Sequence, residues 1–182
     1  IMPLKKIIKA GAITHLTDAR FFAAYEVAYL GFCFDPASPD YISPQEALAI
    51  KGWITGPQIV AEFNNQDADN VLNIIRFLEP DVAELSAQYG AADIAKIADT
   101  EVLLAYHTSF DQRNSVPEDA LYILLTDLPQ NAELAPNWMV DATYNHLLHH
   151  GLLQVKGSPE KETGVKLFDE VADLLESWME DE

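Results

Sequence analysis

Cysteine is almost absent from this chain, which carries one such residue, Cys33, among 182. A single thiol excludes a disulfide within the chain. Free cysteines are among the most frequently buried residues, so we interpret Cys33 as a packing residue inside a strand. Such sparing use of cysteine is typical of a reducing compartment and predicts a cytoplasmic protein.

Basic residues are also scarce. The chain has 11 lysines and arginines against 29 aspartates and glutamates, a formal net charge of −18 at pH 7. A charge of this sign repels nucleic acids and anionic membranes, so neither is expected as a partner. It would also repel a phosphorylated, carboxylated small molecule unless basic residues near the binding site overcame it.

Long hydrophobic runs are missing as well. No apolar stretch approaches the roughly 20 residues that a membrane span needs. Hydrophobic residues nevertheless make up 49% of the chain and charged residues 22%, which is the composition of an ordinary globular protein. A chain of this length is expected to form one domain, 1–182, that buries about two-thirds of its unfolded surface.

What the chain does contain is a regular alternation of strand-like and helix-like segments. Apolar segments predict strands at 4–9, 29–34, 58–63, 82–85, 102–107, 121–125, 138–140 and 152–155. Helices are predicted at 17–26, after the capping box that begins at Ser43, at 67–78 and at 164–179. This α/β pattern indicates parallel strands with helical crossovers, in a closed (β/α)8 barrel or an open doubly wound sheet.

Two motifs in the first quarter of the chain carry a family resemblance. One is Lys9-Ala10-Gly11-Ala12-Ile13-Thr14, and the other runs from 31 to 44 and includes Pro36-Ala37-Ser38-Pro39-Asp40. They resemble the opening of phosphoribosylanthranilate isomerases, whose signature begins Lys-x-Cys-Gly-Ile-Thr, and the resemblance extends over nearly the full length. It implies a (β/α)8 TIM barrel and the Amadori rearrangement of an aminoaldose phosphate in tryptophan biosynthesis.

The connections between the last strands are shorter than in that family. Residues 128–137 leave no room for a crossover helix with its loops, and 141–151 could hold about two helical turns. We therefore predict a barrel trimmed around the crossovers after strands six and seven. The outer faces of these strands should be bare, to be covered by the C-terminal tail or by a partner, such as a second copy in a homodimer.

The catalytic residues that the resemblance implies are replaced here. Gly11 stands at the position of the family's proton-abstracting cysteine, and Asp40 at that of the arginine that binds the substrate carboxylate. At 4 Å and an effective dielectric near 20, the second replacement turns an attraction of about 4 kcal/mol into a similar repulsion. Asp127 follows the sixth strand one residue later than the family's acid, which favours a loop or capping role unless a bulge reorients it.

Five positions are predicted to line a ligand pocket at the mouth of the barrel, namely Gly11, Asp40, Ser86, Asp141 and Lys156. In the family, a glycine pair that approaches phosphate occupies the region of Asp141. A carboxylate there opposes a phosphate, whereas Lys156 could contact an anion.

Lys9 and three histidines are the remaining candidates. Lys9 and Asp127 are candidate catalytic residues, Lys9 through a Schiff base or by anion binding, although pairing with an acidic neighbour is the simpler role for Lys9. His146, His149 and His150 lie at the helical spacing of a metal site, but surface helices often carry histidines that bind nothing. We predict neither a metal nor another cofactor.

The sequence therefore favours an isomerase-like barrel that no longer performs the Amadori reaction, and that binds a small ligand or acts as an interaction partner. Two alternatives stay open. One is an active isomerase with substituted catalytic residues. The other is a barrel enzyme of different chemistry that uses Asp127, Lys9 and the carboxylates of the mouth.

Overall fold

The sheet of this chain closes on itself. The computed structural model describes residues 4–144, 149–156 and 169–179. Its eight parallel strands follow one another in chain order, and the eighth pairs with the first. They are β1 (Ile7–Gly11), β2 (Tyr29–Cys33), β3 (Gln58–Phe63), β4 (Val82–Ser86), β5 (Leu103–Thr108), β6 (Ile123–Leu125), β7 (Trp138–Asp141) and β8 (Leu152–Lys156). The prediction of a (β/α)8 barrel is confirmed, and the open sheet is excluded.

Helices cover the outside of the barrel. They are α1 (Leu16–Ala24), α2 (Pro44–Lys51), α3 (Ala68–Leu78), α4 (Ala91–Ala98) and α5 (Asp169–Ser177), with a 3-10 helix over Phe110–Ser115. The sequence did not predict α4, and the first five residues of the predicted 164–179 helix lie outside the described residues. No helix in the described ranges is long and apolar enough to cross a membrane.

The helix starts follow local side-chain chemistry. The Ser43 side chain accepts a hydrogen bond from the Glu46 N–H, and the Glu46 carboxylate accepts one from the Ser43 N–H. This is the capping box that the sequence predicts. Asp67 caps α3 in the same manner by accepting from the Asn70 N–H.

The first strand begins three residues later than predicted. Leu4 lies outside β1 and instead forms an isolated antiparallel bridge with Met179, just after α5. The Lys5 N–H donates to the carbonyl of Trp178. The apolar side chain of Leu4 therefore reflects packing against the end of the chain and not membership of the barrel.

Two hydrophobic cores lie on the two faces of the sheet. The larger one fills the space between the strands and the helices. The smaller one fills the lower part of the barrel interior and consists of Val60, Val82, Ala105, Tyr122, Leu124, Met139 and Leu152. Strand residues alternate between these cores, so the inward-facing positions can be assigned directly from the chain.

The crossover after β6 is trimmed, as the sequence predicts, because 126–137 contain no helix. The crossover after β5 is also short and holds only the 3-10 helix. The crossover after β7 lies partly outside the described residues, at 145–148.

The prediction that the outer faces of β6 and β7 are bare is wrong. Ile123, Leu125 and Val140 are at most 3% exposed. The connecting segments themselves cover these faces, since Phe110 contacts Trp138 edge-on with ring centroids 6.1 Å apart. A short connection without a regular helix can thus bury a strand face through its own apolar side chains.

Candidate active site

A fully buried lysine occupies the centre of the barrel. Lys9, on β1, donates from Nζ to Glu62 Oε2 on β3 at 2.5 Å and to Glu84 Oε2 on β4 at 2.6 Å. Glu62 and Glu84 are register partners on neighbouring strands and therefore face the interior together. The two carboxylates outweigh the opposing effect of burial and raise the pKa of Lys9. The lysine is therefore held as an ammonium ion.

A glycine on β2 makes this contact possible. Because β2 lies between β1 and β3, the Lys9 side chain must cross it to reach Glu62. A Cβ atom on Gly31 would lie 2.5 Å from Glu62 Oε2 and 2.9 Å from Lys9 Cε. Any larger residue at Gly31 would therefore displace the ion pair.

Two further polar side chains complete the network around Glu84. Tyr122, the residue just before β6, donates its hydroxyl hydrogen to Oε2, and His107 Nδ1 on β5 lies 3.1 Å from Oε1. Burial alone would raise the pKa of Glu84, but Lys9 and His107 together hold it well below its usual range. Burial and the adjacent carboxylate raise the pKa of Tyr122 well above its ordinary value. Glu84 is thus an anion and Tyr122 a neutral donor.

This network forms the floor of a cavity of about 680 Å³ at the C-terminal ends of the strands. Glu62, Glu84 and His107 all line it. The described part of the wall carries five carboxylates, Asp40, Glu62, Glu84, Asp141 and Glu170, against one lysine, Lys156. A wall of this charge favours cations and opposes anions.

Three of the predicted pocket residues lie on the cavity wall and two do not. Asp40, Asp141 and Lys156 line the cavity, and their role in ligand binding stays a prediction. Gly11 is buried beneath Gln154, whose Oε1 would lie 2.6 Å from a Cβ placed on the glycine. Ser86 instead donates its hydroxyl hydrogen to the Asn64 carbonyl oxygen and thereby joins two loops.

The two candidate catalytic residues have structural partners. Asp127 is exposed, lies off the cavity wall and accepts a hydrogen bond from the Phe110 N–H at 2.7 Å. It occupies the loop position that its register predicts, while Thr126 lines the cavity. The pairing of Lys9 with acidic neighbours is confirmed, and the same pairing opposes the neutral amine that a Schiff base requires.

The histidines predicted as a candidate metal site are not brought together in the described structure. His149 is exposed, and Nε2 of His150 contacts the Trp138 carbonyl oxygen. His146 lies outside the described residues. Within the described ranges, no group of three histidine, cysteine or acidic side chains could hold a metal ion.

Sequence reasoning missed Glu62, Glu84, His107 and Tyr122 as site residues. A signal was present, because each is a polar side chain within or beside a largely apolar strand. Cys33 was correctly interpreted as buried; it lines the cavity, and burial raises the pKa of its thiol. The thiol is therefore protonated near neutral pH.

Comparison with known proteins supports the resemblance that the sequence motifs carry. The chain is 30% identical over 87 residues to the N-(5'-phosphoribosyl)anthranilate isomerase of Desulfovibrio desulfuricans. This chain is similar in sequence and in fold to phosphoribosylanthranilate isomerases. The matched segment spans 47% of this chain and only 40% of that relative's length. No family model matches the chain.

Two solved structures of such isomerases share the fold. A monomeric form of the dimeric phosphoribosylanthranilate isomerase from Thermotoga maritima has a TM-score of 0.72 at 21% identity and covers 93% of this chain and 98% of its own. TrpF from Jonesia denitrificans has a TM-score of 0.73 at 17% identity, with 94% and 96% covered. At these identities the structural likeness shows the barrel fold alone.

Proposed function

We propose that this chain is a divergent member of the phosphoribosylanthranilate isomerase family that binds a small ligand at the mouth of its barrel. We further propose that it does not catalyse the family's Amadori rearrangement. The observation that carries the proposal is the charge of the described cavity wall, five carboxylates against Lys156 and the buried Lys9 ammonium that pairs with two of them. A substrate with a phosphate and a carboxylate would be repelled by such a wall.

The residues at the positions of the family's catalytic groups support the same proposal. Gly11 supplies no base, and Gln154 fills the space beside it. Cys33 is a poor substitute, since burial raises the pKa of its thiol. Asp40 lies on the cavity wall, where a carboxylate opposes the anthranilate carboxylate.

Genetic complementation tests this proposal against the alternative of an active isomerase with substituted residues. The full chain is expressed in a tryptophan auxotroph that lacks the isomerase, beside a known isomerase as the positive control. We expect no growth without tryptophan. Growth would overturn the proposal and support the alternative.

A ligand survey tests the binding role directly. The purified native chain is denatured, and the small molecules that it releases are identified by mass spectrometry. We expect a stoichiometric neutral or cationic compound, whereas a released phosphorylated carboxylate would contradict the proposal. The variant Asp141→Arg adds positive charge to the wall and should lose the compound.

We also propose that the chain forms a homodimer and that it resides in a reducing cytoplasm. The covered faces of β6 and β7 remove the original reason for placing the interface there. Light scattering over a range of concentrations tests the association. A concentration-dependent dimer would support it, and a strict monomer would exclude it.

A further inference from the structure

The pair formed by Glu84 and His107 has a geometry that ligand binding alone does not require. We propose that His107 is a general base at the floor of the cavity and that Glu84 is the residue that positions it. The inference rests on the proposed ligand-binding role of the same cavity, and it adds the chemistry that the cavity performs. Its substrate class is a small α-amino carbonyl compound without a phosphate.

The hydrogen bonds fix the orientation of the imidazole. Glu84 Oε2 is occupied by the Lys9 ammonium and the Tyr122 hydroxyl, which leaves Oε1 to accept from His107 Nδ1 at 3.1 Å. Because Glu84 is ionised, it stabilises the tautomer with hydrogen on Nδ1. Nε2 then carries the lone pair. Histidines that act as bases in hydrolases are oriented by carboxylates in the same way.

The free nitrogen is available to a ligand. His107 lines the cavity, and its side chain is 16% exposed. The described residues offer Nε2 no hydrogen-bond partner, since the single polar contact of the ring is made by Nδ1. A half-buried, oriented imidazole on the wall of an open cavity, with its second nitrogen unbonded in the described structure, is the arrangement that proton transfer requires.

The charged groups on the rest of the described wall, Asp40, Asp141, Glu170 and Lys156, are predominantly negative. A ligand that carries a positive charge is therefore favoured beside the ring.

The proposed step needs no redox partner. Nε2 takes a proton from the carbon beside the ligand's carbonyl group, and the C–H electron pair forms an enolate. The imidazolium exchanges its proton with solvent and returns a proton to the same carbon, so the C–H hydrogen is exchanged and no other bond changes. The ammonium group of the ligand binds to the acidic wall and offsets the charge of the enolate. This requirement explains the choice of an amino carbonyl substrate.

Proton exchange in deuterium oxide tests the proposal. Aminoacetone is incubated with the full chain, and the loss of its C–H signals is followed by proton NMR relative to a buffer blank. We expect exchange catalysed by the wild type to fall by about 100-fold or more in His107→Asn. His149→Asn, at an exposed histidine off the described cavity wall, is the matched control and should exchange as the wild type does. Exchange equal in wild type and His107→Asn would overturn the proposal.

A second measurement separates positioning by Glu84 from a purely structural role. Nitrogen NMR of histidine-labelled protein reports the tautomer of His107. We expect hydrogen on Nδ1 in the wild type, loss of this preference in Glu84→Gln, and partial recovery in Glu84→Asp. Hydrogen on Nε2 in the wild type would overturn the assignment even if the variants fold poorly.

The outcomes distinguish this inference from the proposed function. If His107→Asn leaves exchange unchanged but the purified chain still releases a neutral or cationic compound, the base assignment fails and the binding role stands. If the auxotroph grows equally with wild type and His107→Asn, both proposals fail. Dihydroxyacetone phosphate serves as the anionic comparison, and we expect no catalysed exchange of its protons.

Discussion

At the scale of single residues, the interior depends on a lysine that is fully buried and yet charged. Removing water from an ammonium ion costs several kcal/mol, which attraction to well-placed carboxylates can offset. Lys9 has two such carboxylates within hydrogen-bond distance. Neither carboxylate has another described lysine or arginine partner within salt-bridge distance. The balance is therefore local and can be tested by a single substitution.

The variant Lys9→Met should lower the free energy of unfolding by about 3–5 kcal/mol, because it leaves buried carboxylates without their cation. Urea denaturation measures the effect. The matched control is Lys156→Met at the exposed end of β8, where we expect a loss below about 0.5 kcal/mol. Similar losses in both variants would show that the buried network contributes nothing specific to stability.

Alkaline pH should destabilise the protein through the same network. The carboxylates raise the pKa of Lys9 above its ordinary value of 10.5, so its contribution to stability is complete below that pH. The contribution is lost as the pH rises through the higher folded pKa. Tyr122 acts in the same direction, because its pKa is also raised. The free energy of unfolding, measured by urea denaturation from about pH 8 to about pH 11.5, should decline less in Lys9→Met than in the wild type. Parallel declines would contradict the assignment.

The site shows which of its contacts can be predicted from the sequence and which cannot. The inward position of Lys9 and an acidic partner could be inferred from the chain, since a buried lysine needs a counter-ion. The identity of the partners could not, because Glu62 and Glu84 meet Lys9 only through the barrel register and the space left by Gly31. His107 joins through β5, which is distant in the chain.

At the scale of elements, the capping box of α2 is the feature that sequence predicts best, because all its atoms lie within four residues. Ser43→Ala should cost about 1 kcal/mol of stability, since it removes the acceptor of the Glu46 N–H. Ser109 precedes the 3-10 helix but makes no capping hydrogen bond, so Ser109→Ala is the matched control. We expect a loss within about 0.5 kcal/mol there, as thermal unfolding would measure. Equal losses in the two variants would contradict the capping role.

The sequence predicts helices and strands less accurately where they lack a strong local signal. Helix α4 has four alanines in eight residues and one buried side chain, Ile97, so few large apolar residues mark it in the sequence. The predicted start of β1 was too early, because the apolar residue Leu4 pairs with the end of the chain and not with the barrel. The covered faces of β6 and β7 could not be foreseen either. Irregular segments have no periodicity from which their packing could be inferred.

At the scale of the whole molecule, closure of the barrel joins the two ends of the chain. The five residues of β1 pair with the five residues of β8. We therefore expect one cooperative unfolding transition. Trp53→Phe removes an exposed reporter and leaves Trp138 and Trp178 to report on the second half of the chain by fluorescence. The urea midpoint by fluorescence should match that by circular dichroism, and two separate midpoints would contradict a single cooperative unit.

The overall architecture was the most predictable level. Eight apolar strands in alternation with helices limited the choice to two folds, and the motif resemblance selected the barrel. The charge of the cavity wall was less accessible, because the charged side chains that contribute to it come from four strands, from the loop after β2 and from α5. Composition indicated the sign of that charge but not its concentration around the cavity.

The packing of Gln154 over Gly11 has a consequence for any attempt to place a thiol at this position. A cysteine introduced at Gly11 would place its Cβ within 2.6 Å of the glutamine amide oxygen and 3.0 Å of the amide carbon. The new side chain would therefore compete with its neighbour for one space on adjoining strands. Engineering this position is a two-residue problem, in which the side chain at 154 must move aside or be shortened before position 11 can carry a side chain.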